Sequence, residues 1–162
     1  MSTRSVIARP TPEGGFHGAY CHNDGYPAHQ GRVLFDAVTS HFGGDPDAAC
    51  HYLIDQHPAG WSVLHSDFTA PPGYRTGHHP EDLRNQCYCH GDRHEPPRPP
   101  LTEQTARAAF IDYAYVLEPE RLRVLTNRPG GWQPVAEPAW TDSPDWDAID
   151  DHARGVRRRG WS

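Results

Sequence analysis

The sequence predicts an α+β domain in which an antiparallel sheet of about five strands is packed by three or four helices. Three observations carry that expectation. Short β-rich segments cluster at the start of the chain and again after residue 109, two helical periods follow the first cluster directly, and no regular strand–helix–strand alternation recurs. The length of 162 residues suits one domain spanning 1–162, large enough to bury a core of its own.

The elements follow in order. Thr3 to Ala8 is the first strand, ended by Pro10 and Pro12, and Phe16 to His22 is the second, after Gly14-Gly15; together they form an N-terminal hairpin. From Gln30 to Phe42, Val33, Leu34, Ala37, Val38, His41 and Phe42 fall at helical spacing, and Gly43-Gly44 supplies the C-cap. Asp45-Pro46 gives an N-cap and an N1 proline for a second helix through about Gln56, with Ala49, Cys50, Leu53 and Ile54 on its buried face. Residues 69–100 turn to Pro, Gly, His, Cys and Arg with almost no aliphatic side chains, which predicts a long irregular loop. A short helix around Thr102 to Ala109 precedes three strands, Phe110 to Leu117, Arg121 to Thr126 and Trp132 to Ala136. The turns between them, Glu118-Pro119-Glu120 and Asn127-Arg128-Pro129-Gly130-Gly131, make this a C-terminal meander. Ser143-Pro144-Asp145 opens a last helix that presents Trp146, Ile149, Ala153 and Val156 on one face.

Composition excludes several function classes. All 15 basic residues are arginine, so lysine Schiff-base and lysine general-base chemistry are absent. The formal charge of −6 argues against nucleic acid as a partner, because phosphate neutralisation needs a clustered basic footprint. Arg154, Arg157, Arg158 and Arg159 follow Asp145, Asp147, Asp150 and Asp151 on the last helix, an order that complements the helix dipole. No apolar run is long enough to span a bilayer, and no basic segment followed by an apolar one opens the chain, so the expectation is a cytoplasmic protein with no membrane partner. The four cysteines are then thiols or ligands rather than disulfides.

The densest chemistry lies in Tyr20-Cys21-His22-Asn23-Asp24-Gly25-Tyr26-Pro27, at the predicted strand-to-helix turn. Gly25 admits a positive φ, and Pro27 holds Tyr26 extended. Two readings stay open. In one, Asp24 caps the following backbone and Tyr26 packs on the core. In the other, His22, Asp24 and Tyr26 form an acid–base or ligand-orienting catalytic set. Cys21 alternates to the opposite side of the strand from His22 and is read as a core thiol.

With its opening Met1-Ser2-Thr3-Arg4-Ser5-Val6-Ile7 and with Gly31, this motif resembles a family of short uncharacterised proteins of bacteriophages and actinobacteria, over about the first quarter of the chain. The resemblance implies an accessory, phage-linked role rather than a particular reaction. It also draws Arg4 and Ser5 to the turn, where an arginine suits phosphate or carboxylate, or pairs with Asp24. The leading expectation is a small cytoplasmic protein that binds a polar or phosphorylated ligand, or a host protein, through Arg4, Ser5, His22, Asp24 and Tyr26. The alternatives are a metal-assisted or His/Asp acid–base hydrolase, and a protein–protein inhibitor acting through the Pro-rich loop.

A second constellation, Cys87-Tyr88-Cys89-His90 with His94, lies in the 69–100 loop. Cys87, Cys89, His90 and His94 are a candidate zinc set, the single cofactor the sequence points to. Its spacing departs from the usual pattern: one residue separates the cysteines, no distant second pair completes the site, and adjacent Cys89 and His90 are poorly placed to share one ion. A solvated His-rich loop is the competing expectation.

Overall fold

A computed structural model describes residues 2–161, with side chains through Arg157. Met1 of the opening motif and the side chains of Arg158, Arg159 and Trp161 lie outside the described residues. The α+β expectation holds, but the sheet is larger than predicted and mixed rather than antiparallel. Its eight strands are β1 (Ser5–Pro10), β2 (Phe16–Cys21), β3 (Trp61–Val63), β4 (Gln86–Cys87), β5 (Leu101–Thr102), β6 (Tyr113–Leu117), β7 (Leu122–Arg128) and β8 (Gly131–Ala136). They run in the order β4-β3-β2-β1-β6-β7-β8, with β5 paired to part of β2.

The hairpin and the meander are both present: β1 pairs antiparallel with β2, and β6, β7 and β8 pair antiparallel in sequence. The correction concerns how they join. Strand β1 pairs with β6 in parallel, and β2 with β3 in parallel. The two helices after the hairpin are the crossover that a parallel β2–β3 pair requires, so a chain without βαβ repetition still builds parallel ladders.

Helix α1 has an α-helical centre at Arg32–Asp36 between π-helical turns at Pro27–Gly31 and Ala37–His41, so it starts three residues earlier than predicted. Pro27 occupies its first turn, where a missing N–H costs nothing. The Thr39 hydroxyl donates to the Phe35 carbonyl (2.9 Å), a competing bond that accompanies the widened second half. Helix α2 runs through Pro46–Cys50 and on through His51–Asp55, capped by the Asp45 carboxylate as expected. Helix α3 is Glu103–Ala108, with Thr102 and Thr105 capping each other, and helix α4 is Trp146–Trp161.

The strand period explains the layering. Ile7, Tyr113, Tyr115, Leu122 and Val124 face α1, α2 and α4, while Val6, Ala8, Ala114, Val116 and Leu125 face α3. Strand β6 is therefore buried on both faces, which its unbroken run Tyr-Ala-Tyr-Val-Leu reflects. The Trp61 indole N–H donates to the Leu53 carbonyl (2.8 Å) and ties α2 to β3. Near the cleft, the α1 and α4 helices meet where Gly31 lies under the Trp146 ring and where the Ala28 amide donates to Asp150 (3.2 Å).

The 69–100 segment is irregular except for β4, and polar contacts hold it in place of a core. Asp82 pairs with Arg75 (2.8 Å) and Arg84 (3.1 Å), and Glu95 pairs with Arg93 (2.6 Å) and Arg98 (2.7 Å). The Arg93 guanidinium lies over Tyr88 (4.7 Å) and Tyr74 (5.3 Å). No helix among the described residues is long and apolar enough to cross a membrane.

Candidate functional site

The turn predicted to carry the chemistry is held by the sheet on two sides. The His22 and Asn23 amides donate to the Trp61 and Ser62 carbonyls (3.0 and 2.9 Å), and the Gly25 amide donates to the Thr3 carbonyl (2.8 Å). The left-handed residue is Asp24 (φ 55), not Gly25 as the sequence predicts. Gly25 is needed for a different reason: a Cβ there would sit 2.8 Å from the Thr3 carbonyl oxygen and 2.9 Å from the Ser5 Cβ. The Tyr115 hydroxyl, fully buried, donates to the Gly25 carbonyl (2.6 Å) and fastens the turn from beneath. Tyr115→Phe is expected to destabilise the protein by about 1–3 kcal/mol, because the buried carbonyl loses its donor. Urea denaturation of the variant checks this, and an unchanged midpoint would show that the bond contributes nothing.

Beside the turn lies an open cleft of about 750 Å³. Arg4, His22 and Tyr26 line it as predicted, joined by Asp112 and Tyr113 from the start of β6 and by Arg154 and Arg157 from α4. Arg4 is fixed by its backbone: its amide donates to the Asp112 carboxylate (2.9 Å), and its carbonyl accepts from the Asp112 and Tyr113 amides (3.1 and 3.3 Å). Its guanidinium reaches the Phe110 carbonyl at 3.3 Å but forms no ion pair among the described residues. The other two arginines are paired, Arg157 with Asp112 (2.9 Å) and Arg154 with the buried Asp150 (2.7 Å). Burial pushes the Tyr113 phenol up, and the Arg157 guanidinium over its ring (5.3 Å) opposes that shift, so the hydroxyl remains a neutral donor at neutral pH.

Not every predicted residue reaches the cleft. Ser5 is 0% exposed and accepts from the Gln30 side chain (3.3 Å), because the alternation of β1 turns it into the interior. Asp24 does not line the cleft, since its left-handed backbone carries the chain away from His22. Its charge instead acts on His65, whose pKa burial and the neighbouring His29 lower while Asp24 and Asp82 oppose the shift. His22 Nδ1 is hydrogen-bonded to the Tyr20 hydroxyl (2.6 Å), and no hydrogen bond among the described residues joins His22 to Asp24. Cys21 is buried as expected, and burial pushes its thiol up to about 12, far from nucleophilic.

The Cys/His constellation assembles with one exchange. His57, Cys87, Cys89 and His90 bring their ligand atoms within 4.8 Å of one another. His94 is exposed and stands outside the group, at a left-handed position (φ 49) that turns the chain away. Cys87 Sγ lies 3.3 Å from His90 Nδ1, and the Ala59 amide donates to Cys89 Sγ (3.4 Å). Burial raises the Cys87 thiol and lowers the His57 ring to about 4. Adjacent Cys89 and His90, which the sequence places poorly to share one ion, both fall within the group, because the chain bends at this pair before Gly91 (φ 74).

Sequence reasoning missed Asp112, Tyr113, Arg154 and Arg157 in the cleft and His57 in the metal group. The arginines carry a signal in the sequence, but one that helix-dipole placement explains equally well. His57 had one faint cue, the turn-forming run His57-Pro58-Ala59-Gly60. Comparison with protein families, with characterised proteins and with solved structures finds no match to this chain.

Proposed function

We propose that this chain is a small cytoplasmic binding protein whose Arg4 cleft takes an anionic ligand, a phosphorylated small molecule above all. The observation that carries this reading is Arg4, which lines the cleft and whose guanidinium has no carboxylate partner among the described residues, while its backbone is pinned to Asp112. A fixed arginine with free donors matches the oxygens of a phosphate, and a charge-assisted bond there is worth about twice a neutral one. Arg154 and Arg157 add positive potential along the cleft wall, and Tyr26, Tyr113 and His22 offer directional hydrogen bonds. The pairing of His22 with Tyr20 rather than a carboxylate favours binding over acid–base hydrolysis, which needs a base oriented by a third group. The resemblance of the N-terminal quarter to phage and actinobacterial proteins supports an accessory role.

Thermal denaturation across a panel of inorganic phosphate, pyrophosphate, nucleotides and sugar phosphates tests the reading. A ligand present at a hundred times its Kd adds about 2.7 kcal/mol of stability, and Arg4→Ala is expected to remove that gain while leaving the unliganded melting temperature near wild type. No stabilisation by any member of the panel would overturn the proposal.

A further inference from the structure

The Cys/His group stands apart from the Arg4 cleft, and none of its four residues lines that cleft. Its geometry is close to what a tetrahedral ion demands. Metal bonds of about 2.0–2.3 Å to nitrogen and sulfur place neighbouring ligand atoms roughly 3.3–3.8 Å apart. The Cys87 Sγ to His90 Nδ1 separation of 3.3 Å already has that value, and every other pair of ligand atoms lies within 4.8 Å.

Three further observations point to an ion. His57 is only 4% exposed, no hydrogen bond among the described residues engages its ring, and its Nδ1 is fully buried. A buried, unpartnered imidazole costs stability unless something accepts it. The backbone is shaped around the group: the Gly60 amide donates to the His57 carbonyl (3.0 Å), and Gly60 takes φ +91 where a side chain would be strained. This turn presents His57 and aims the Ala59 amide at Cys89 Sγ, the kind of outer bond that orients a metal-bound thiolate. Finally, the Tyr88 amide donates to the Gly60 carbonyl (3.0 Å), which ties the bend between Cys87 and Cys89 directly to the turn that carries His57.

We propose that His57, Cys87, Cys89 and His90 form a structural zinc site that clips the 69–100 loop to the turn after α2. Two sulfurs and two imidazoles in a tetrahedral set select zinc among the common divalent ions, and four protein ligands leave no open position for substrate. Binding converts two thiols to thiolates and releases their two protons, so the two negative charges balance the dication and the site is neutral. The clip supplies order to a loop that has almost no aliphatic side chains of its own.

Protein produced without a histidine tag is expected to contain about one zinc per chain by elemental mass spectrometry, and chelation is expected to lower its melting temperature. Cobalt substituted into the wild-type protein should show thiolate-to-metal charge transfer and the intense visible bands of tetrahedral coordination, a readout that needs no variant to fold. Cys89→Ser and His90→Ala should lose the metal, while His94→Ala retains it. A chain that takes up neither zinc nor cobalt overturns the site. So does a chain in which His94→Ala loses the metal as fully as His90→Ala, or in which the cobalt spectrum lacks thiolate bands.

Discussion

Gly18→Ala is expected to leave little folded protein. Gly18 sits in β2, opposite Ala8 of β1 and Leu101 of β5. A Cβ at this position would lie 1.8 Å from the Ile7 carbonyl oxygen and 2.6 Å from the Ala8 Cα. Both contacts are backbone, so no rotamer relieves them. Strand β1 also has nowhere to move, because β6 pairs along its other edge and Val6, Ile7 and Ala8 are fully buried between the helical layers. Overpacking that side chains can absorb costs about 1–3 kcal/mol. Here the central ladder must part, so the loss should be about 3 kcal/mol or more, a large share of the roughly 5–15 kcal/mol that holds a domain folded. Urea denaturation measures it, and a Gly18→Ala protein within about 1 kcal/mol of wild type would show that the β1–β2 approach is looser than described.

Gly31→Ala should damage both stability and the cleft. Its Cβ would fall 2.3 Å from Trp146 Cζ3 and 2.8 Å from Cε3, and the indole is 4% exposed with Phe35 against it (6.0 Å). The ring must tilt, and with it the first turn of α4. That helix carries Arg154 and Arg157 to the cleft, and its Asp150 holds the N-terminal turn of α1. We expect about 1–3 kcal/mol of destabilisation. We also expect weaker stabilisation by any phosphate ligand of the screen that stabilises the wild type, together with a shift in tryptophan emission as Trp146 gains solvent. Lost stability with unchanged ligand affinity would separate α4 placement from binding.

The elements that were legible in the sequence are those whose signals are local. The α2 cap at Asp45-Pro46, the meander turns and the apolar face of α4 each follow from residues within one turn of one another. Strands β3, β4 and β5 are three, two and two residues long, too short for any period to show. The parallel pairing of β1 with β6 was invisible because nothing in either segment names its partner. Tyr26 is readable from one dense motif and Arg4 only through the resemblance of the opening segment, whereas Ser5 is turned inward by β1 alternation and Asp24 stands off the cleft at a left-handed residue. His57 joins a Cys/His group whose other members begin thirty positions later, and only the folded chain brings them together.

The pairing of Ser5 with Tyr113 also constrains how the chain comes to be folded during synthesis. Strand β1 lies at the centre of the finished sheet, and one of its two neighbours, β6, is translated about a hundred positions after it. Until then the nascent hairpin exposes an open, apolar ladder edge of the kind that recruits foreign strands. Closing contacts so distant in sequence is slow. The stretch of chain between β2 and β6 therefore sets how long that edge stands unpaired.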